Sequence, residues 1–134
     1  MNITIDKSLM TGNRMIDEQH RELIGKIQKL VRCCKEGGGK VEAIKTLDYL
    51  ADYTDFHFRE EERLQVEHAY PGLAEHREKH AELRKAVGEL YEMLREEEGP
   101  TDAFVHAVNK NVTDWLYGHI KTFDHAVASY VREQ

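Results

Sequence analysis

Two pairs of side chains that commonly bind metal ions stand out in this chain of 134 residues. His57 and Glu61 are four residues apart, and so are His76 and His80, a spacing that places both members of a pair on one face of a helix. Leu83 continues the stripe of His76 and His80, which indicates that this face is turned inward. Buried imidazole and carboxylate groups are costly unless they find strong partners. Coordination of a metal ion would provide such partners.

Three further polar residues lie on predicted helical stripes. His20 shares its stripe with the apolar residues Leu23 and Ile27. His119 and Asp124 are five residues apart, which is a wide angle on a regular helix. Asp124 can join the site of His119 only if the helix bulges locally or if the carboxylate bridges from the flank.

A single histidine on an apolar stripe is usually a hydrogen-bonded core or surface residue. Here a metal site is favoured instead, because four helices carry such residues at compatible heights. The set consists of two pairs at a spacing of four, a histidine–carboxylate pair and a single histidine. Seven ligands exceed the four that saturate a zinc ion, and they suit two metal ions that share bridging carboxylates. The residue types do not distinguish iron, manganese and cobalt. The predicted ligands are His20, His57, Glu61, His76, His80, His119 and Asp124.

The remaining histidines are predicted not to bind metal. His68 lies eleven residues beyond His57, about 16 Å along the helix axis. His106 and His125 project away from His119. The other glutamates of the histidine-rich region are most simply a solvated face. These glutamates are Glu60, Glu62, Glu67, Glu75 and Glu78.

Three breaks divide the chain into four segments of helical length: the glycines at 37–39, Pro71 and Pro100. Short connections favour antiparallel neighbours. The sequence therefore predicts one all-α domain over 1–134, with an extended N-terminal arm (1–15) on an up-down-up-down four-helix bundle (16–134). The predicted helices run from Ile16 or Asp17 to Glu36, from Val41 to Glu67, from Gly72 or Leu73 to Glu97, and from the N-cap Thr101 to Val131.

Composition narrows the choice of partners. The net charge of −6 argues against nucleic acid and against an anionic membrane surface. No segment has the ~18 unbroken apolar residues of a membrane-spanning helix, and the first thirteen residues lack the features of a signal peptide. We therefore expect a cytoplasmic protein and, in the absence of a long apolar surface stripe, a monomer. Cys33 and Cys34 are expected to be reduced thiols without a role in the site.

The chain resembles the hemerythrin family, specifically its single-domain bacterial members. The similarity covers nearly the whole length and includes all seven predicted ligand positions in order. The motifs that carry it are IDEQH at 16–20, HFREE at 57–61, YP at 70–71, HREKH at 76–80 and WLYGHIKTFD at 115–124.

This resemblance implies a non-haem centre of two iron ions. His76, His80 and His119 would hold one iron, and His20 and His57 would hold the other. Glu61 and Asp124 would bridge the two ions together with an oxo or hydroxo group. The implied function is reversible binding of dioxygen at an open position of the second iron, for oxygen transport, storage or delivery, rather than enzymatic catalysis. The partner of such a protein would be dioxygen, with an unidentified oxygen-consuming enzyme as a possible recipient.

The sequence departs from the family pattern at two places. Gln65 stands where the family usually has methionine, and it is expected to hydrogen-bond a bridging carboxylate, a metal-bound ligand or only a backbone carbonyl. The arm offers Ile3, Ile5, Leu9 and Met10 where the family often has tryptophan and tyrosine.

Several residues near the predicted ligands are candidates for the wall of an oxygen pocket, although ordinary core packing also explains them. With Gln65, these residues are Leu23, Phe58, Leu83, Trp115, Leu116 and Ile120. Two alternative functions remain open from the sequence. One is a di-iron peroxidase or oxidase, and the other is a sensor of oxygen, nitric oxide or iron that acts through a separate partner.

Overall fold

The computed structural model describes residues 9–97 and 99–133, and within these ranges the chain is helical with no β-strand. Helices α1 to α3 span Arg14–Lys35, Lys40–Glu67 and Leu73–Glu96. The fourth helix, α4, runs over residues 102–132. Its α-helical parts are Asp102–Val108, Asp114–His119 and His125–Arg132, and two π-helical turns, Asn109–Thr113 and Ile120–Asp124, separate them.

Each helix packs against the next one, and the beginning of α4 also packs against α1, which closes the bundle. A single large apolar core draws on all four helices and includes Leu30, Leu50, Leu90 and Phe104. The prediction of an antiparallel four-helix bundle is confirmed. None of the helices in the described residues is long and apolar enough to cross a membrane. Cys33 and Cys34 are free thiols.

Helix α1 begins at Arg14, two or three residues before its predicted start at Ile16 or Asp17. Asn13 is the N-cap, and its side chain accepts a hydrogen bond from the backbone N–H of Ile16 at 3.0 Å. Asp17, which was predicted only as a possible first residue, turns back to the preceding segment. It accepts hydrogen bonds from the backbone N–H of Thr11 (2.8 Å), the Thr11 hydroxyl (2.8 Å) and the backbone N–H of Gly12 (3.1 Å).

These hydrogen bonds hold the described part of the N-terminal arm against the bundle. Leu9 is only 2% exposed and belongs to the core, whereas Met10 is exposed. The predicted arm residues Ile3 and Ile5 lie outside the described residues.

The first two helices end in the same hydrogen-bonded motif. At the end of α1, Gly37 adopts a positive φ of 80°, and the Gly38 N–H donates to the Cys33 carbonyl at 2.8 Å. At the end of α2, Ala69 takes the left-handed position with a φ of 51°, and the Tyr70 N–H donates to the Gln65 carbonyl at 2.8 Å. The turn after α2 therefore fixes the backbone of Gln65, close to the predicted metal ligands.

Candidate metal centre

The structure brings all seven predicted ligands together in the interior of the bundle, and none of them is more than 5% exposed. Their nitrogen and oxygen atoms form two groups, and within each group the atoms lie no more than 4.8 Å from one another. Glu61 and Asp124 belong to both groups. The three-histidine group comprises Glu61, His76, His80, His119 and Asp124, and the two-histidine group comprises His20, His57, Glu61 and Asp124.

The imidazole nitrogens point at the two shared carboxylates. Nε2 of His76 lies 3.0 Å from Oε1 of Glu61 and 3.1 Å from Oδ1 of Asp124. Nε2 of His80 is 3.1 Å from Oε1 of Glu61. Nε2 of His20 is 2.7 Å from Oδ2 of Asp124. One nitrogen of each of these rings thus converges on the same small volume, which is the arrangement that a bound cation requires.

Asp124 reaches this volume because α4 is irregular there. On a regular helix, residues five apart diverge by about 140° around the axis. The π-helical turn Ile120–Asp124 adds one residue to the turn, so that Asp124 lies on the same side as His119. Nε2 of His119 is 3.2 Å from Oδ1 of Asp124. The local bulge on which the prediction for Asp124 depended is therefore present.

Burial and mutual contacts shift the acid–base behaviour of these groups in the metal-free protein. Burial and the neighbouring His20 lower the pKa of His57 to about 3, and burial with His76 and His119 lowers the pKa of His80 to about 2. Burial acts in the same direction on His76, but the carboxylates of Asp124 and Glu61 outweigh it and raise the pKa of His76 to about 9.

The pKa values of the two shared carboxylates are shifted in opposite directions. Burial, and then the nearby charge of Asp124, raise the pKa of Glu61 well above its usual range. Burial also acts to raise the pKa of Asp124, but the surrounding imidazoles of His119, His20 and His76 hold it well below its usual range. The centre of the cluster thus stabilises positive charge, which a proton on His76 supplies when no metal ion is bound.

Several buried atoms of the cluster lack hydrogen-bond partners among the described residues. They include Oε2 of Glu61 and Nδ1 of both His20 and His119. Unpaired buried carboxylate oxygens are costly, and coordination of a metal ion would satisfy them. Histidine and carboxylate ligands without cysteine, arranged around two shared carboxylates, fit a non-haem metal site.

Three outer residues hold the imidazoles through their Nδ1 atoms, as is usual around metal sites. Oε1 of Gln19 lies 2.7 Å from Nδ1 of His57, and Nε2 of Gln65 lies 2.8 Å from Nδ1 of His76. Gln65 was predicted to lie on the inward face, with one of three kinds of hydrogen-bond partner. In the structure its partner is His76, a predicted metal ligand. Gln19 was not identified from the sequence, because its partner lies on another helix.

The prediction for Glu62 was wrong. It was expected on a solvated face, but its side chain is largely buried, and Oε2 lies 2.7 Å from Nδ1 of His80. Its other oxygen accepts a hydrogen bond from Arg77 at 3.1 Å. A carboxylate in this position orients the imidazole and increases its basicity as a ligand.

Replacing Glu62 by leucine is expected to lower the affinity for metal by about 10–100-fold, the usual range for loss of an outer partner of a histidine ligand. The affinity would be measured by titrating the metal-free protein with Co²⁺. Glu78→Leu is the matched control, because Glu78 is exposed on α3 and has no contact with the cluster. An equal affinity in the two variants would contradict the role of Glu62.

Apart from Gln65, the candidate pocket residues are apolar, and all of these except Trp115 are buried core. Leu23, Phe58, Leu83, Leu116 and Ile120 are almost completely buried. The ring of Phe58 stacks on that of His80 with the centroids 3.7 Å apart.

Trp115 is half-buried, stacks on His119 and donates a hydrogen bond from Nε1 to Glu82 at 3.3 Å. Trp115 therefore lies between the cluster and the solvent. The three other histidines, His68, His106 and His125, belong to neither group of converging ligand atoms.

Comparison with known proteins gives a consistent result. The profile of the family described as the hemerythrin HHE cation binding domain matches residues 11–131. A bacteriohemerythrin of Stenotrophomonas maltophilia is 30% identical over 92% of this chain and 78% of its own length. One of Methylococcus capsulatus is 29% identical over 81% and 79%. A crystal structure of a hemerythrin point mutant has a TM-score of 0.81 with 24% identity, over 97% of this chain and 98% of that one.

Proposed function

The chain belongs to the hemerythrin family, and we propose on this basis that it binds dioxygen reversibly at a centre of two iron ions inside the bundle. The observation that carries the proposal is the sharing of Glu61 and Asp124 between two groups of buried ligand atoms. Five histidines and two carboxylates exceed the needs of one ion, and two shared carboxylates suit a bridged pair.

The residues of the chain would have distinct roles at this centre. His76, His80 and His119 would hold one ion, His20 and His57 the other, and Glu61 and Asp124 both, together with an oxo or hydroxo bridge. A pair of ferrous ions supplies the two electrons on which reversible binding of dioxygen depends. Because fewer histidines would hold the second ion, it would be the one with an open position.

The surroundings of the cluster support oxygen binding rather than oxidation of a larger substrate. The apolar side chains of Leu23, Phe58, Leu83, Leu116 and Ile120 would exclude water and offer no proton donors. Three imidazoles, those of His57, His80 and His76, are hydrogen-bonded through Nδ1 to Gln19, Glu62 and Gln65, respectively, which keeps these rings oriented. Neutral imidazoles also place less negative charge on iron than carboxylates would, which favours the ferrous state.

The proposal is tested by cycling the gas above the iron-loaded protein. The protein is reduced anaerobically, exposed to air and then returned to argon while its visible absorption is recorded. A charge-transfer band that forms in air and disappears under argon over repeated cycles is the expected result. Irreversible oxidation in the first cycle, together with consumption of peroxide faster than by free iron, would favour the peroxidase or oxidase alternative.

A further inference from the structure

Gln65 has an unusual position for an amide side chain. It is 0% exposed and lies on α2, four residues after Glu61. Its Nε2 is 2.8 Å from Nδ1 of His76, while its Oε1 has no hydrogen-bond partner among the described residues. A buried amide oxygen without a donor is costly, so the environment of this side chain calls for an explanation beyond packing.

The backbone around Gln65 is tightly held. The Gln65 carbonyl accepts the N–H of Tyr70 at 2.8 Å, and the Val66 carbonyl accepts the N–H of Ala69 at 3.1 Å. The turn that ends α2 therefore fixes the start of the Gln65 side chain. Beyond this turn, α3 begins at Leu73 and places His76 in its first turns. The contact between Gln65 and His76 thus ties the two sides of the α2–α3 connection to each other at the cluster.

The chemistry of imidazole determines which end of the amide faces His76. A metal ion on Nε2 uses the lone pair of that nitrogen, so the proton of the neutral ring is on Nδ1. An Nδ1–H donor needs an acceptor. Rotating the terminal torsion of Gln65 by half a turn brings its amide oxygen to face His76, where it accepts this hydrogen bond. The oxygen and nitrogen of an amide occupy nearly equivalent positions, and the hydrogen-bond network decides between them.

The second glutamine of the cluster already has this arrangement. Gln19 presents its amide oxygen, Oε1, to Nδ1 of His57 at 2.7 Å. Turning the amide of Gln65 over gives the same pairing and provides its oxygen with a donor. The NH₂ group is then the free donor, and the Glu61 carboxylate, one helical turn earlier, has a buried Oε2 without a partner.

We propose that Gln65 is a positioning residue for His76. Its amide oxygen accepts the Nδ1–H and thereby directs Nε2 at the three-histidine group. This inference rests on the proposed function and specifies one of its two metal positions. Because Gln65 contacts His76 and Gln19 contacts His57, each glutamine orients a ligand of a different metal position.

The test compares Gln65→Met with Gln19→Met, since methionine keeps a similar volume but removes the acceptor. The metal-free proteins are titrated with Co²⁺, and ¹⁵N NMR of the histidine rings identifies the ligands that each equivalent engages. Gln65→Met is expected to weaken binding at the three-histidine group by about 10–100-fold and to leave the two-histidine group within a few fold. Gln19→Met is expected to do the reverse.

A conservative variant and a spectroscopic measurement separate positioning from simple packing. Gln65→Glu retains an acceptor oxygen and is expected to restore most of the affinity lost in Gln65→Met. In the Zn²⁺-loaded wild-type protein, the ¹⁵N spectrum is expected to show the His76 proton on Nδ1. Equal Co²⁺ affinities in wild type and Gln65→Met, or a His76 proton on Nε2 with Zn²⁺ bound, would overturn the proposal.

Binding of Co²⁺ to the wild-type protein separates an error about Gln65 from an error about the two-metal centre. If the wild-type protein binds two Co²⁺ ions with the two predicted ligand sets and Gln65→Met behaves identically, only the role of Gln65 is wrong. If the wild-type protein does not bind two ions, the two-metal centre itself is wrong, and this proposal is overturned with it.

Discussion

Replacing Glu61 by glutamine is expected to reduce the bound iron from two ions per chain to one or none. The Glu61 carboxylate belongs to both groups of ligand atoms, so its loss removes a ligand from each metal position. Glutamine has nearly the same shape but offers one weakly coordinating oxygen and no charge. Iron per chain would be measured by elemental analysis after removal of loosely bound metal.

Glu60→Gln is the matched control for this experiment. Glu60 is the preceding residue, but its side chain is partly exposed and pairs with Arg63 at 3.1 Å, so we expect two iron ions in this variant. Retention of both ions by Glu61→Gln would show that this carboxylate does not bridge them.

Glu61→Gln is also expected to change the stability of the metal-free protein, but not to lower it. Burial raises the pKa of Glu61 well above its usual range, so the free energy of unfolding decreases as the pH rises above the pKa that this group has in the unfolded chain. Neutral glutamine removes this penalty. At pH 7 the metal-free variant should be at least as stable as the metal-free wild type, while only the wild type gains stability from added iron.

Replacing Asp17 by alanine is expected to lower the free energy of unfolding by about 2–4 kcal/mol, because three hydrogen bonds to a charged acceptor are lost. The carboxylate is largely buried and accepts hydrogen bonds from both Thr11 groups and from the Gly12 N–H. Without it, the two buried donors of Thr11 lose this acceptor, and Leu9 loses the anchor that holds it in the core. Urea denaturation of the metal-free protein measures the change, and hydrogen exchange at Thr11 and Gly12 locates it.

Glu18→Ala provides the comparison for Asp17→Ala. Glu18 is the next residue of α1, and its exposed side chain pairs with Arg14 at 3.1 Å. Exposed pairs of this kind contribute about 0–1 kcal/mol, so the variant should unfold nearly as wild type does. An equal, small effect of the two substitutions, with unchanged exchange at Thr11, would mean that Asp17 does not hold the arm.

The fold could be predicted from the sequence because it depends on local signals. The glycines at 37–39, Pro71 and Pro100 mark the connections, and the period of the apolar residues gives the faces of the helices. The predicted N-cap Thr101 accepts a hydrogen bond from the Phe104 N–H, as a cap residue should. The metal ligands were predictable for a similar reason, since pairs four residues apart on inward faces are visible in the chain alone. Their role as ligands stays a prediction.

Contacts between side chains of different helices could not be predicted from the sequence in this way. Glu62 and Glu60 look alike in the sequence, and only the packing of α2 against α3 shows that Glu62 reaches Nδ1 of His80. Gln19 precedes a predicted ligand, yet its partner is His57 on α2. The start of α1 was placed too late for a different reason, since the apolar period begins at Ile16 whereas the helix begins directly after its N-cap Asn13, which lies outside that period. The contacts of Glu62 and Gln19 depend on which surfaces meet, and periodicity within one helix does not contain that information.

The π-helical turn Ile120–Asp124 makes the length of α4, and not only its composition, a property of the cluster. Deleting one residue between His119 and Asp124 would let this stretch relax into a regular helix in which the two ligands are four residues apart and still share a face. Inserting one residue would instead rotate everything beyond it by about 100° relative to His119, and the carboxylate of Asp124 would leave the cluster although every ligand residue was still present in the chain. This part of the protein should therefore accept many substitutions on its outer face, and a single deletion within the π-helical turn, but not a single insertion.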